Sequence, residues 1–186
     1  MRKFDYTFLK KISVPADIMN SATSIYEMKA KAELRRSDFA DVFSAMESVA
    51  KIQSVKSSNA IEGIITTDKR IRDIVNKSTA PQGHNELEIA GYRDALDLIH
   101  GSYSEIPFSE KSILELHRIL LQPSGDDLAG RYKTEDNFIM ETDREGVRSV
   151  RFTPVPASET AFAMEQLILA YHAAYSDAEI NPLMLI

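Results

Sequence analysis

The stretch Ser57-Ser58-Asn59-Ala60-Ile61-Glu62-Gly63 decides how the rest of the chain is read. It closes a long run with helical periodicity. Apolar residues recur at Phe39, Val42, Phe43, Met46, Val49 and Ala50 and continue to Ala60 and Ile61, which predicts one helix over about 38–62. Gly63 is the residue expected just past a helix end. Ser58 and Glu62 stand one turn apart on one face, a polar pair where a core helix would be apolar. Glu62 falls in the last turn, where the helix end already carries partial negative charge, so its carboxylate is disfavoured by a few tenths of a kcal/mol, up to about 1. A carboxylate held at the wrong pole by a rigid helix makes sense if it meets a cation, and an arginine is the cation expected. The alternative is a solvated glutamate paired loosely with Lys56 or Lys69, worth little.

Working outward from this helix, Phe4, Tyr6 and Phe8 alternate weakly within 1–14 and suggest a short strand or an ordered arm. From Pro15 the pattern turns helical, with Ile18, Ala22, Ile25 and Ala32 on one stripe and Lys29, Lys31, Arg35 and Arg36 opposite. Ser37-Asp38 supplies the start of the next helix. Downstream, Thr66-Thr67-Asp68 caps a short helix carrying Ile71, Ile74 and Val75, and 77–84 reads as a loop around Pro81 and Gly83. Asn85 is expected to cap a helix through Leu87, Ala90, Leu96 and Ile99, closed by Gly101. Phe108-Ser109 followed by Ile113 fits a hydrophobic staple around an N-cap, predicting a helix over 109–121 that Pro123 ends.

The chain then changes character. After a loop over 122–136, residues 137–153 carry strand signals: Phe138 and Met140, a polar turn over 142–146, then Val147, Val150 and Phe152. A lone hairpin is marginal in water, so this one is expected to lie on the helices. Its edge could take an extended peptide, or it could simply cover the core. Ser158 is expected to cap a last helix through Phe162, Leu167, Ile168, Tyr171 and Tyr175. Asn181-Pro182 then reads as a further helix start. The four apolar residues after it are too few for a stable helix, so they are either a tail tucked into the core or the first turn of a central helix.

Composition removes several classes of function. A net charge of −6 argues against nucleic-acid binding, which needs a basic face. Zero cysteines exclude disulfides, thiolate metal sites and a cysteine nucleophile. No run approaches the roughly 18 apolar residues of a membrane span. Arg2, Lys3, Lys10 and Lys11 have no apolar segment behind them, so a signal peptide is not expected and a cytoplasmic protein is. Gly125 and Gly130 have P-loop separation, but Arg131-Tyr132 stand where Lys and Ser/Thr are required. His84, His100, His117 and His172 form no close ligand pair, so no metal site is expected. His117 reads as a packed or partly exposed histidine within an apolar helix, not as a catalyst.

These features stand in an order that resembles the Fic family (filamentation induced by cAMP), whose enzymes transfer nucleotide to proteins. Ser58-x-x-x-Glu62-Gly63 is similar to that family's inhibitory motif, Ser/Thr-x-x-x-Glu-Gly/Asn. Leu116-His117-x-x-Leu120 follows, then Gly130-Arg131-Tyr132-Lys133, like the family's Gly-x-Tyr-Arg, then the hairpin and Phe152-Thr153-Pro154. Asn181-Pro182-Leu183 resembles the start of the helix leading to the family's signature. The resemblance covers about residues 38–186. The signature itself, His-Pro-Phe-x-x-Gly-Asn-Gly-Arg, is absent from this sequence and would be expected beyond Ile186. It supplies the family's base, magnesium ligand, phosphate nest and clamped arginine, so none of these carries over to a residue here.

The resemblance implies a mainly α fold, an incomplete Fic-like helical bundle with one β-hairpin flap. Residues 1–105 would form an N-terminal helical region including the inhibitory helix, and 106–186 the N-terminal part of the Fic core, with the flap at about 137–153. It implies Ser58, Glu62 and Gly63 as inhibitory motif, and Phe138, Ile139, Met140, Val150 and Phe152 as flap residues that dock the target. The function implied is the regulatory portion of a protein adenylyltransferase, moving AMP from ATP to a target-protein hydroxyl and held back by Glu62. ATP and Mg are expected for the complete family enzyme and are not expected to be held by this chain, which alone should be inactive. The partner expected is the protein that is modified, with a homodimer as one further assembly, and neither nucleic acid nor membrane. The alternatives are an antitoxin-like module that inserts its Glu62 helix into a separate Fic protein, and a plain helical interaction protein.

Overall fold

The computed structural model describes residues 4–185. It is mainly helical, with a single two-stranded antiparallel sheet among these residues. Six helices form in the order α1 (Ala16–Arg35), α2 (Ala40–Ile61), α3 (Asp68–Val75), α4 (Gly83–Ser102), α5 (Glu110–Leu121) and α6 (Ala157–Tyr175). The strands β1 (Ile139–Thr142) and β2 (Arg148–Phe152) lie between α5 and α6.

The tightest core gathers where α2, α3 and α4 meet. Val55 of α2, Ile71, Ile74 and Val75 of α3, and Ile89 and Ala90 of α4 are buried together, with Ile52, Ile64, Tyr92 and Leu96 packed against them. The sequence dictates this arrangement. α3 puts its three large apolar residues on one side and Lys69, Arg70 and Arg72 on the others, so it can bury only one face. Thr67 starts it as expected, its side chain accepting the Arg70 N–H at 3.2 Å. Ser109 likewise caps α5 through the Ser112 N–H at 3.2 Å.

Other helix starts differ from the expectation. α4 begins at Gly83, not Asn85, because Glu86 reaches back to accept the Gln82 N–H at 2.7 Å. It also runs through Gly101 to Ser102. α6 begins before Ser158, and its first N–H, from Ala157, is taken at 2.7 Å by Asp136 on the far side of the hairpin. Ser37-Asp38 does not cap α2; residues 36–39 form a turn, and the N-cap is Phe39, which makes no side-chain cap bond.

Residues 4–14 form no strand. They make a 3-10 turn at Thr7–Lys11, and Lys10 ties it to Asp177 at 2.6 Å and Glu179 at 2.9 Å. Asn181 caps a 3-10 turn at Pro182–Met184 by accepting the Leu183 N–H at 3.0 Å.

The hairpin does not lie on the helices. All nine strand residues are exposed on both faces. Its order comes from elsewhere: the strands pair along their length, with Met140 opposite Val150, and Asp143 accepts the Glu145 and Val147 N–H groups to fix the turn. The Asp136–Ala157 bond holds its base to α6, so it projects as an anchored arm.

Candidate functional site

The end of α2 is locked by its own backbone. Gly63 has φ +78°, its N–H bonds to Ala60 O at 3.1 Å, and the Ile64 N–H bonds to Asn59 O at 2.9 Å. This pair of bonds closes a Schellman motif, in which only glycine adopts the left-handed turn without strain. Gly63→Ala should therefore cost about 1 kcal/mol, although no atom stands within 4 Å of the added methyl. Urea denaturation would read this, and unchanged stability would show that the turn relaxes freely.

Glu62 is the C-cap of α2, and its side chain is exposed. The two lysines that could have neutralised it are engaged elsewhere: Lys56 with Asp68 at 2.6 Å and Lys69 with Asp73 at 2.7 Å. Among the described residues Glu62 has no ion pair. The loose surface pairing open from sequence is thus not what the structure adopts.

Beside Glu62 lies a groove of about 640 Å³. Ser58, Asn59 and Glu62 contribute one wall, Glu88 and Tyr92 of α4 another, and Leu120 and Leu121 of α5 an apolar side. The helical spacing expected for Ser58 and Glu62 therefore brings both to one concave surface. Ser58 accepts a hydrogen bond from the Tyr92 hydroxyl at 2.8 Å. Lys51 pairs with Asp97 two turns earlier, so α2 and α4 run antiparallel along this seam. That register sets Glu62 level with Glu88, one turn beyond the Ser58–Tyr92 contact. Glu88 also receives His84 at 2.7 Å. The resulting mouth carries two carboxylates beside an apolar wall, suited to a cation on an apolar stem.

Gly63 shapes the turn and does not line the groove. Nor do Phe138, Ile139, Met140, Val150 and Phe152, all of which sit exposed on or beside the hairpin arm. Leu120 belongs to the Leu116-His117-x-x-Leu120 stretch, whereas Tyr92, Glu88 and Leu121 carry no local signal of a place in the groove. Glu88 and Tyr92 repeat the one-turn spacing of Ser58 and Glu62, but that signal becomes visible only once the antiparallel pairing of α2 and α4 is known.

His117 is half-buried, and its Nδ1 accepts the Gly130 N–H at 3.2 Å, which places the ring proton of the neutral imidazole on Nε2. Tyr132 donates to Glu110 at 3.0 Å; burial first, then this carboxylate, pushes its hydroxyl up to about 12. Both contacts organise the 125–133 loop against α5. No group of three or more His, Asp or Glu side chains that could hold a metal occurs among the described residues. Among the described residues no helix is long and apolar enough to cross a membrane. In comparisons with known proteins, no family model and no curated protein matches the chain.

Proposed function

We propose that this chain is the regulatory N-terminal portion of a Fic-type protein adenylyltransferase, with Glu62 as its inhibitory carboxylate. One observation carries the reading: Glu62 stands at the rim of a groove, at the negative pole of a capped helix, with both neighbouring lysines committed elsewhere. Such a carboxylate costs free energy where it is and recovers it on meeting a guanidinium. The hairpin arm supports the same reading, because its exposed apolar side chains suit it to close over a neighbouring surface. Within the proposal this chain contributes no reacting group. Its part is to withhold an arginine from the nucleotide site of the catalytic region.

The test is Glu62→Gly in the full-length protein, with auto-modification by labelled ATP as the readout. A charge-assisted contact is worth about 1.5–3 kcal/mol, so labelling should rise about tenfold or more. Unchanged labelling would remove Glu62 from the regulation. The antitoxin-like reading is favoured by the uncovered apolar stripe of Phe39, at the N-cap of α2, and Val42, Met46 and Val49 within it, each more than half exposed. It predicts instead that the wild-type chain, added separately, suppresses labelling by a Fic protein and that the Glu62→Gly chain does not.

A further inference from the structure

We infer that Tyr92 is a positioning residue for Glu62, setting the aim of the inhibitory carboxylate through its hydrogen bond to Ser58. This inference rests on the regulatory reading of Glu62.

The geometry separates two questions that the end of a helix normally joins. The Schellman turn at Gly63 fixes the backbone of Glu62 relative to its own helix. It does nothing to fix the roll of α2 about its axis, which decides where a side chain in the last turn points. Buried Val55 sets that roll coarsely, and polar cross-links to the neighbouring helix refine it close to where they stand. Among the described residues, the polar cross-links on the α2–α4 seam are Lys51–Asp97 and Ser58–Tyr92. The second is the nearer to Glu62, one turn away on the same face, so it has the shorter lever on the carboxylate.

Tyr92 is suited to the task. Its ring packs against the buried cluster of Val55, Ile71, Ile74 and Ile89, which restrains the hydroxyl that donates to Ser58, and the residue lines the groove. Ser58 offers the matching acceptor from a half-buried position. The contact is neutral and single, so it is worth about 0.5–1.5 kcal/mol, enough to bias an orientation and too little to hold the fold. Anything that occupies the groove and claims the Tyr92 hydroxyl would loosen the aim of Glu62 without unfolding the helix.

The experiment compares four substitutions in the full-length protein, read by auto-modification with labelled ATP and by Tm. Tyr92→Phe keeps the ring and removes the hydroxyl; it should raise labelling about two- to tenfold, below the rise from Glu62→Gly. Ser58→Ala should give the same rise, and combining it with Tyr92→Phe should add nothing. In a Glu62→Gly background Tyr92→Phe should have no further effect. Lys51→Ala removes the seam's other cross-link, two turns away, and should leave labelling at the wild-type level. A Tyr92→Phe protein labelled like wild type, while Glu62→Gly rises, would overturn the positioning role alone. So would a rise from Lys51→Ala equal to that from Tyr92→Phe, since general loosening would then account for both. If Glu62→Gly itself leaves labelling unchanged, the regulatory reading fails and this inference falls with it.

Discussion

Gly91→Ala is expected to destabilise the chain by on the order of 3 kcal/mol, although alanine is the better helix former at almost any other position. A methyl group on Gly91 would sit 1.9 Å from the carbonyl oxygen of Leu120 and 2.8 Å from its carbonyl carbon. Both atoms are backbone, so no side chain can swing aside, and α4 and α5 would have to separate along their shared face. Leu120 and Leu121 also form the apolar wall of the Glu62 groove, which links this packing to the proposed site. Gly101, in the same helix, has nothing within 4 Å of an added methyl. Gly101→Ala should therefore gain about 0.5–1 kcal/mol, the ordinary return on removing a helical glycine. Thermal melts of the pair give opposite signs, with Gly91→Ala lowering Tm by about 6–12 °C. If Gly91→Ala melts at or above the wild-type temperature, the close approach of α4 and α5 is not present in solution.

The contrast between these two glycines shows what local sequence can and cannot reveal. Gly101 follows an apolar run and reads as a helix stop, yet the helix continues through it. Gly91 carries no local sign of its role, because the atom that excludes a side chain belongs to a residue 29 positions later. The same division runs through the helix caps. Thr67 and Ser109 were legible because their partners lie three residues on, within the span that capping patterns describe. The start of α6 was not, since its acceptor, Asp136, lies 21 residues back across the hairpin. α3 ends on Lys77 in the left-handed conformation (φ 56°), where the rule expects glycine or asparagine. The paired spacing of Ser58 and Glu62 was readable, since it depends on one helix. The opposing wall of Glu88 and Tyr92 depends on how two helices pair, which one helix cannot show. The hairpin's strands and turn were likewise legible, whereas its projection from the helices was not, because alternation specifies faces and not what covers them.

The largest acid-dependent effect is expected at Arg70 and Glu86, which join α3 to the start of α4. Glu86 is buried, and Arg70 meets it with two donors, Nε at 2.8 Å and Nη2. The remaining guanidinium donors reach Thr79 at 3.0 Å and the Ala80 carbonyl at 3.1 Å, so one side chain clips the 76–82 loop to two helices. The Arg70 contact above all, aided by the Gln82 N–H, draws the Glu86 carboxyl down to about 2 from its ordinary 4.5. Removing the arginine leaves the Glu86 carboxylate without its two charge-assisted contacts, so Arg70→Ala should lower stability at pH 7. The direction with pH follows from linkage. A carboxyl whose folded value is depressed contributes its stability fully above 4.5 and loses it as pH falls toward 2. The gap between wild type and Arg70→Ala should therefore narrow as pH is lowered from 5 toward 2. Glu86→Gln, which keeps the shape and can still accept from Gln82, should flatten that acid dependence. Urea denaturation at a series of pH values measures both effects. A gap that stays constant from pH 7 to pH 3 would mean that Glu86 does not titrate in this window, and that Arg70 acts through Thr79 and Ala80 instead.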